Sequence, residues 1–224
     1  MPRKPSIAGP EPGRPMRTRS AACITLATAL SAVLAAAVAC YAPPAQSAPP
    51  AFSVASPDLA ASRFDARFML AAFGCHGSNL SPALTWAHAP AGTRRFAIQM
   101  IDLDAPDGGF WHWAVYDLPG TATGLPRGAA NVASHLAAPA YGGNTDFRDT
   151  GAVGWNGGYA GPCPPPGDAP HHYRITIYAY AADSLATAGG IPRTGSAALF
   201  AFVLNRGLGD ALLGRASLIA TASR

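Results

Sequence analysis

Hydrophobic and polar residues alternate along three segments of the chain, and this two-residue period is typical of β-strands with one buried face. The segments are Arg95–Asp102, His112–Leu118 and His171–Tyr180. In the third segment the odd-numbered residues share one face, and the even-numbered residues share the other. Each predicted strand carries polar side chains at one end, so the strand ends are where we expect a functional site.

Two later segments have the alanine and leucine content of helices, Gly195–Leu204 and Asp210–Ser217. Between the second and third strands, Pro119–Pro170 is rich in Gly, Pro, Asn and Asp, and it is too long for a simple connection. Strands do not alternate with helices as a parallel sheet would require. The pattern therefore predicts a mainly β fold of the α+β kind.

An uncharged, alanine-rich run, Ala21–Ala39, follows Arg17 and Arg19. Basic residues before an apolar stretch are typical of a secretory signal. Three outcomes are open: cleavage within Ala45–Ala48, lipid attachment at Cys40, or retention as a membrane anchor. The run only just reaches the ~20 apolar residues that a membrane span needs. Each outcome predicts a periplasmic or secreted protein that meets a membrane only through this segment.

The chain therefore divides into three predicted parts. Residues 1–48 form a signal peptide or an N-terminal membrane or lipid anchor, residues 49–60 a linker rich in Pro and Ala, and residues 61–224 the folded domain. Gly and Pro make up 46 of the 224 residues, which suits a β fold with many turns.

The net charge of +4 comes entirely from the first 48 residues, because the rest of the chain holds 11 Arg and 11 Asp. A nucleic-acid partner is not expected, since the predicted domain is formally neutral. Beyond the N-terminal segment the chain has no Glu, so any carboxylate chemistry in the domain must come from Asp.

Three clusters carry candidate chemistry: Asp102–Pro106 at a strand end, His112–Trp113, and a Pro-rich loop followed by His171–Tyr173. Two aspartates two residues apart project to one face of a strand. Imidazoles beside carboxylates stay charged more readily, so His112 and His171 could present N–H donors to an anion. Each cluster alone is also typical of ordinary capping, turn or core residues.

The motifs together resemble the phosphatidylethanolamine-binding protein family, and more narrowly its bacterial branch of Raf kinase inhibitor-like proteins. The resemblance implies a large antiparallel sheet packed with a smaller sheet, peripheral helices at the C-terminus, and one small anion-binding pocket. It rests on seven segments that occur in the family's order: Cys75–Trp86, Pro90–Thr93, Asp102–Pro106, His112–Trp113, Asn144–Phe147, Tyr159–Pro165 and His171–Tyr173.

The resemblance implies a non-enzymatic binding protein with no cofactor, no catalytic residue and no bound metal. Its ligand would be a small anion, such as phosphate or a phospholipid head group, and an unidentified protein partner is possible. His172 is excluded, because alternation turns it to the other face of the strand. The implied ligand-binding residues are Asp102, Asp104, His112, Gly161, Pro162, His171 and Tyr173.

The sequence departs from the family pattern in three places. His76 follows Cys75 where a residue such as Asp is common, Ala211 replaces a histidine, and the ending Ala220–Arg224 lacks the usual Tyr. The stretch Gly151–Gly158, with Trp155, resembles an insertion.

Cys75 and Cys163 are the two cysteines of the predicted domain. Export exposes thiols to oxidation, and both residues adjoin motifs that the resemblance places in one region, so they are candidates for a disulfide. The alternative is that both are small buried hydrophobic residues.

Two other functions remain open. Asp102, Asp104, His112 and His171 could hold a metal ion in a metal-assisted hydrolase, since carboxylates and imidazoles bind Zn²⁺ or Mn²⁺. Inhibition of a protease or kinase fits eukaryotic members of the family, but an exported protein would not meet a cytosolic kinase.

Overall fold

Eight strands and two short α-helices make up the protein in a computed structural model, which describes residues 49–131, 135–150 and 158–224. The strands form a five-stranded antiparallel sheet, in the order β6-β4-β3-β7-β8, and a three-stranded sheet, in the order β1-β2-β5. The helices are α1 (Leu185–Gly189) and α2 (Ala197–Phe202). The strands are β1 (Ser53–Ala55), β2 (Leu84–Ala87), β3 (Arg95–Asp102), β4 (Phe110–Pro119), β5 (Gly124–Leu125), β6 (Tyr141–Gly142), β7 (His171–Tyr180) and β8 (Leu212–Ala222). The predicted mainly β fold with a large and a small sheet is confirmed.

Both faces of the large sheet are covered over part of their area. One face packs on the small sheet and forms the main core, with Ile98, Ile175 and Trp86 among its residues. The other face packs on α1 and α2, where Tyr116 stacks on Phe200 with the ring centroids 4.1 Å apart. Since β3 lies between the two layers, seven of its eight residues are buried.

Strands β3 and β7 have the predicted bounds, and β4 extends the predicted His112–Leu118 by a few residues. A period of two in the sequence identifies a strand wherever the residues on its two faces differ in polarity.

The prediction of a helix over Asp210–Ser217 is wrong. Apart from one short 3₁₀ turn at Gly209–Ala211, this segment belongs to β8, which pairs antiparallel with the whole of β7 from His171 to Tyr180. Cross-strand pairing overrides the weak helix preference of its Ala and Leu residues. The other predicted helix is confirmed as α2, with Ser196 as its N-cap.

Residues 49–60 are not the linker that their composition predicts. Ser53–Ala55 forms β1, which pairs with β2, and Pro57–Leu59 forms a 3₁₀ turn that buries Leu59. The Asp58 carboxylate accepts the Ala83 N–H at 2.8 Å and pairs with Arg127. These contacts join the segment to the small sheet.

Several of the sequence features lie outside the described residues. They are the export segment with Cys40, and the stretch 151–157 with Trp155. Within the ranges that the structure covers, no helix has the length and apolar character needed to cross a bilayer.

Candidate functional site

A cavity of about 330 Å³ opens where β3, β4 and β7 meet the loops after Tyr141 and Tyr159. Its floor holds the polar side chains, and its rim is aromatic and Pro-rich. The lining residues are Phe73, Asp102, Ala105, Pro106, Phe110, His112, Phe147, Thr150, Cys163, Pro164, Pro165, Asp168 and His171.

Asp102 and His171 form a buried pair on the floor. Register places Asp102 at the end of β3 beside β7, and the His171 Nδ1–H donates to Asp102 Oδ2 at 2.8 Å. Asp102 Oδ1 accepts the Asp104 N–H at 3.0 Å, so both carboxylate oxygens are engaged. His171 Nε2 lies 3.4 Å from an oxygen of Asp168.

The pKa of His171 is raised by its surroundings. Burial lowers this pKa, but the hydrogen bond and charge of Asp102, the hydrogen bond of Asp168 and the charge of Asp104 together outweigh burial. The imidazolium form of His171 therefore persists to higher pH than that of an unperturbed histidine.

His112 has the opposite character. Its Nδ1–H donates to the Ala160 carbonyl at 3.0 Å, because a carbonyl oxygen can only accept. Burial lowers the pKa of His112 to about 4, and the rings of Phe110, Phe147 and Tyr173 pack edge-on around it. The expectation that His112 supplies positive charge is therefore wrong at neutral pH, where its Nε2 carries a lone pair.

Asp104 does not line the cavity with Asp102. Strand β3 ends at Asp102, so strand alternation no longer governs Asp104, and its carboxylate accepts from the backbone N–H and the ring of His172. Asp102 therefore pairs with His171, and Asp104 pairs with His172, the next residue of β7. His172 is exposed and lies outside the cavity lining, as expected.

Tyr173 lies behind the cavity rather than in its lining. Its ring packs against His112 and Phe64, and its buried hydroxyl makes no hydrogen bond within the described residues. Burial, followed by the charge of Asp102, raises the pKa of Tyr173 far above its ordinary value. Tyr173 therefore stays neutral and adds no charge to the site.

Gly161 and Pro162 support the loop that forms one wall. The Gly161 N–H donates to Asn79 Oδ1 at 2.8 Å, and the Pro162 carbonyl accepts the Leu70 N–H at 3.0 Å. A Cβ on Gly161 would lie 2.1 Å from the Phe68 carbonyl oxygen, so only glycine fits here. The loop residues that reach the cavity are the next three, Cys163, Pro164 and Pro165.

Cys75 and Cys163 are joined by a disulfide, with the Cα atoms 6.0 Å apart and a sequence separation of 88. Cys163 is part of the cavity wall. Arg224, the last residue, donates from Nη1 to the Phe73 carbonyl at 3.0 Å and lies 3.4 Å from the Cys75 sulfur. The C-terminus therefore reaches the disulfide although the family's usual Tyr is missing.

Sequence reasoning missed much of the rim. Phe110 lies two residues before His112, and Phe147 is the last residue of the Asn144–Phe147 motif, so the sequence could have indicated both. Asp168 is three residues before His171, a spacing that could have indicated a second carboxylate. Phe73, which is 58% exposed, carried no signal in the sequence.

The proposed metal-ligand set is not assembled. Asp104 faces away from the other three candidates, and Asp102 is engaged by His171 and a backbone N–H. Among the residues that the structure describes, no three His, Cys, Asp or Glu side chains are grouped so as to hold a metal ion.

Comparison with known proteins identifies the family. Residues 61–216 match the family model for phosphatidylethanolamine-binding proteins. The UPF0098 protein YbcL of Escherichia coli is 39% identical over 135 residues, which cover 59% of this chain and 68% of YbcL. LppC of Mycobacterium tuberculosis, whose name describes it as a candidate lipoprotein, is 37% identical over 60% of this chain and 58% of its own length.

Solved structures show the same fold. The crystal structure of E. coli YbcL, described as a new member of the mammalian PEBP family, superposes with a TM-score of 0.65 and 32% identity. The superposition covers 77% of this chain and 98% of YbcL. A homologue from Chlamydia trachomatis shares the fold at 23% identity and a TM-score of 0.53. Because the family model covers well over half of the chain and the cavity is built from the motifs that carried the resemblance, this protein belongs to the phosphatidylethanolamine-binding protein family.

Proposed function

We propose that the cavity binds a small head group in which an anionic group lies next to an ammonium group, and that it binds this ligand without converting it. The supporting observation is the charge of the floor. His171, whose pKa is raised, lies between two carboxylates, Asp102 and Asp168, while burial lowers the pKa of His112 to about 4. A bare anion would meet more negative than positive charge there.

The geometry around His171 leaves one position for a ligand oxygen. The Nδ1–H is held by buried Asp102, whereas the 3.4 Å contact from Nε2 to Asp168 is long for a hydrogen bond. The Asp168 side chain is 49% exposed. A phosphate oxygen can therefore replace Asp168 at Nε2, and the freed carboxylate can accept an ammonium group of the same ligand.

The rim suits an apolar extension of the ligand. Phe147 contacts both Phe73 and Phe110, with ring centroids 6.2 and 4.8 Å away, and Pro164 and Pro165 also line the cavity. Apolar walls with a few polar groups are typical of small-molecule sites. A phospholipid head group with its glycerol portion has this distribution of polarity.

Calorimetric titration at pH 6.5 with O-phosphoethanolamine, inorganic phosphate and ethanolamine tests the proposal. We expect phosphoethanolamine to bind about tenfold more tightly than either fragment, since it gains an additional charge-assisted hydrogen bond. Asp168→Asn should remove this preference, and His171→Gln should weaken both phosphate ligands. Asp104→Asn is the matched control and should change neither. Equal affinity for phosphate and phosphoethanolamine would contradict the proposal.

Phosphorus-31 NMR of the bound phosphoethanolamine separates binding from hydrolysis. We expect the ligand to be recovered intact, and release of inorganic phosphate would favour a hydrolase. A lysophosphatidylethanolamine titration then distinguishes a lipid source from the free head group, because only the lipid can use the aromatic rim.

We also propose that the domain acts outside the cytoplasm. The basic residues and apolar run near the N-terminus support this, as does the name of the mycobacterial relative. The Cys75–Cys163 disulfide is consistent with an oxidising compartment.

A further inference from the structure

A second concave site lies on the opposite face of the large sheet. It is a groove of about 500 Å³ between β7, β8 and the end of α2, and it shares no lining residue with the cavity. Strand alternation separates the two sites: Phe110 and His112 of β4 line the cavity, whereas Trp111 between them lines the groove. The groove residues are Ile101, Trp111, Arg174, Thr176, Tyr178, Ala201, Asn205, Arg215 and Ser217.

The groove carries two arginines and no carboxylate in its lining. The Arg174 side chain makes no ion pair or hydrogen bond within the described residues, and the Arg215 side chain donates only to the neutral amide oxygen of Asn205, at 2.7 Å. Three other arginines of this fold are paired with aspartates. These pairs are Arg67 with Asp65, Arg94 with Asp183, and Arg127 with Asp58.

Strand register arranges the donors in a row. Thr176 pairs with Ser217, and their hydroxyls lie 2.8 Å apart. Arg174 lies two positions from this pair along β7, and Arg215 lies two positions from it along β8, toward the other end of the groove. At about 3.3 Å per residue, the Cα atoms of the two arginines are separated by roughly 13 Å along the strands, a distance that two long side chains reaching toward each other can close onto one small ligand.

We propose that this groove binds a small polyanion with two separated anionic groups, one at each guanidinium. The Thr176 and Ser217 hydroxyls and the Asn205 amide provide hydrogen bonds between the two ends, and Trp111 provides an apolar wall. Guanidinium groups bind phosphate or carboxylate oxygens in pairs of hydrogen bonds, so either chemistry fits. The nearby Asp146 carboxylate accepts the Trp111 backbone N–H and is outside the lining.

Nitrogen-15 NMR titrations with pyrophosphate and with citrate, at low ionic strength, test the site and distinguish the two chemistries. We expect the largest shifts at the backbone amides of Arg174, Thr176 and Ser217. Arg174→Gln and Arg215→Gln should each weaken binding by about tenfold or more, because each removes a charge-assisted contact. Added salt should weaken binding as well.

Arg67→Gln is the matched control, since it removes the same charge from an exposed position beside the main core. It should leave pyrophosphate and citrate binding unchanged. Equal losses in all three variants would show that net charge alone attracts the anions, and would overturn the proposal. Shifts confined to the cavity around His171, or no shifts at millimolar anion, would also overturn it.

A sedimentation assay with phosphatidylglycerol vesicles covers the remaining alternative. We expect no binding that depends on Arg174 and Arg215, because a flat lipid surface does not enter a concave groove. Vesicle binding that these variants abolish, without pyrophosphate or citrate binding in solution, would replace the small polyanion with a membrane surface.

Discussion

The His171 imidazole donates to the Asp102 carboxylate at 2.8 Å, and this pair joins the ends of two neighbouring strands at the floor of the cavity. The pair decides which histidine carries charge. His171 is paired with a carboxylate and favours its protonated form, whereas His112, one strand further away, donates to a carbonyl and stays neutral.

Replacing Asp102 by Asn should lower the pKa of His171, because burial remains while the charge of its nearest partner is lost. An NMR pH titration of the His171 ring protons measures this change. Asp104→Asn is the control, and it should leave the pKa of His171 raised because Asp104 is the weakest of the named influences. Equal shifts in the two variants would contradict the assignment.

Ligand binding through His171 should weaken as pH rises. The imidazolium is the form that donates from Nε2 to an anion, and the pKa of His171 is raised, so affinity should fall at pH values above 6.5. Phosphoethanolamine titrations between pH 5.5 and 8.5 measure this, because that range spans the ordinary pKa of histidine. An affinity that rises over this range would be inconsistent with a protonated His171 in the site.

His112 should make the fold less stable at acidic pH. Its pKa is lowered to about 4 in the folded state, so between about 6.5 and 4 the unfolded chain binds a proton that the folded protein excludes. Stability is therefore lost as pH falls through this window, by up to about 3 kcal/mol. Urea unfolding of wild type and His112→Asn at several pH values tests this. The variant should not show this loss of stability as pH falls. The same slope in both proteins would assign the effect elsewhere.

Removal of the disulfide by Cys75→Ser with Cys163→Ser should destabilise the protein by about 4 kcal/mol in the chain-entropy model, because the bridge closes a long loop. Denaturant unfolding of the oxidised wild type and the double variant gives this difference. Thiol titration of the denatured, unreduced protein should find neither residue free. Two reactive thiols there would disprove the bridge.

Gly161→Ala should destabilise the fold by at least about 1–3 kcal/mol, since its Cβ would overlap the Phe68 carbonyl oxygen. Gly207→Ala is a suitable control, because its Cβ would meet Val203 no closer than 3.4 Å. Thermal unfolding of both variants measures the contrast, and similar midpoints would show that the Phe68 segment can move away.

N-terminal sequencing of the protein from its producing cell tests export. We expect a start within Ala45–Ala48 or a lipid-blocked Cys40, because the run Ala21–Ala39 follows two arginines. Intact Met1 or Met16 on cytoplasmic protein would disprove export.

The sequence by itself determined the strands whose two faces differ in polarity. Arg95–Asp102 and His171–Tyr180 were predicted with their observed bounds, since alternation is a local property of the chain. The motifs also identified the family, the cavity residues Asp102, His112 and His171, and the loop that begins at Gly161, because side-chain chemistry is read directly from residue types. The resemblance also placed Cys75 and Cys163 in one region, although their spacing in the sequence gives no distance between them.

Only the tertiary structure decided the features that depend on neighbours distant in sequence. Strand β8 forms because β7 offers ten hydrogen-bonding positions, against the local preference of Asp210–Ser217. The neutral state of His112 comes from burial among rings on other segments, and the turn of Asp104 toward His172 follows from the end of β3. The net charge of the domain likewise gave no indication of the groove, because only the fold shows that Arg67, Arg94 and Arg127 are paired with aspartates whereas Arg174 and Arg215 have no carboxylate beside them.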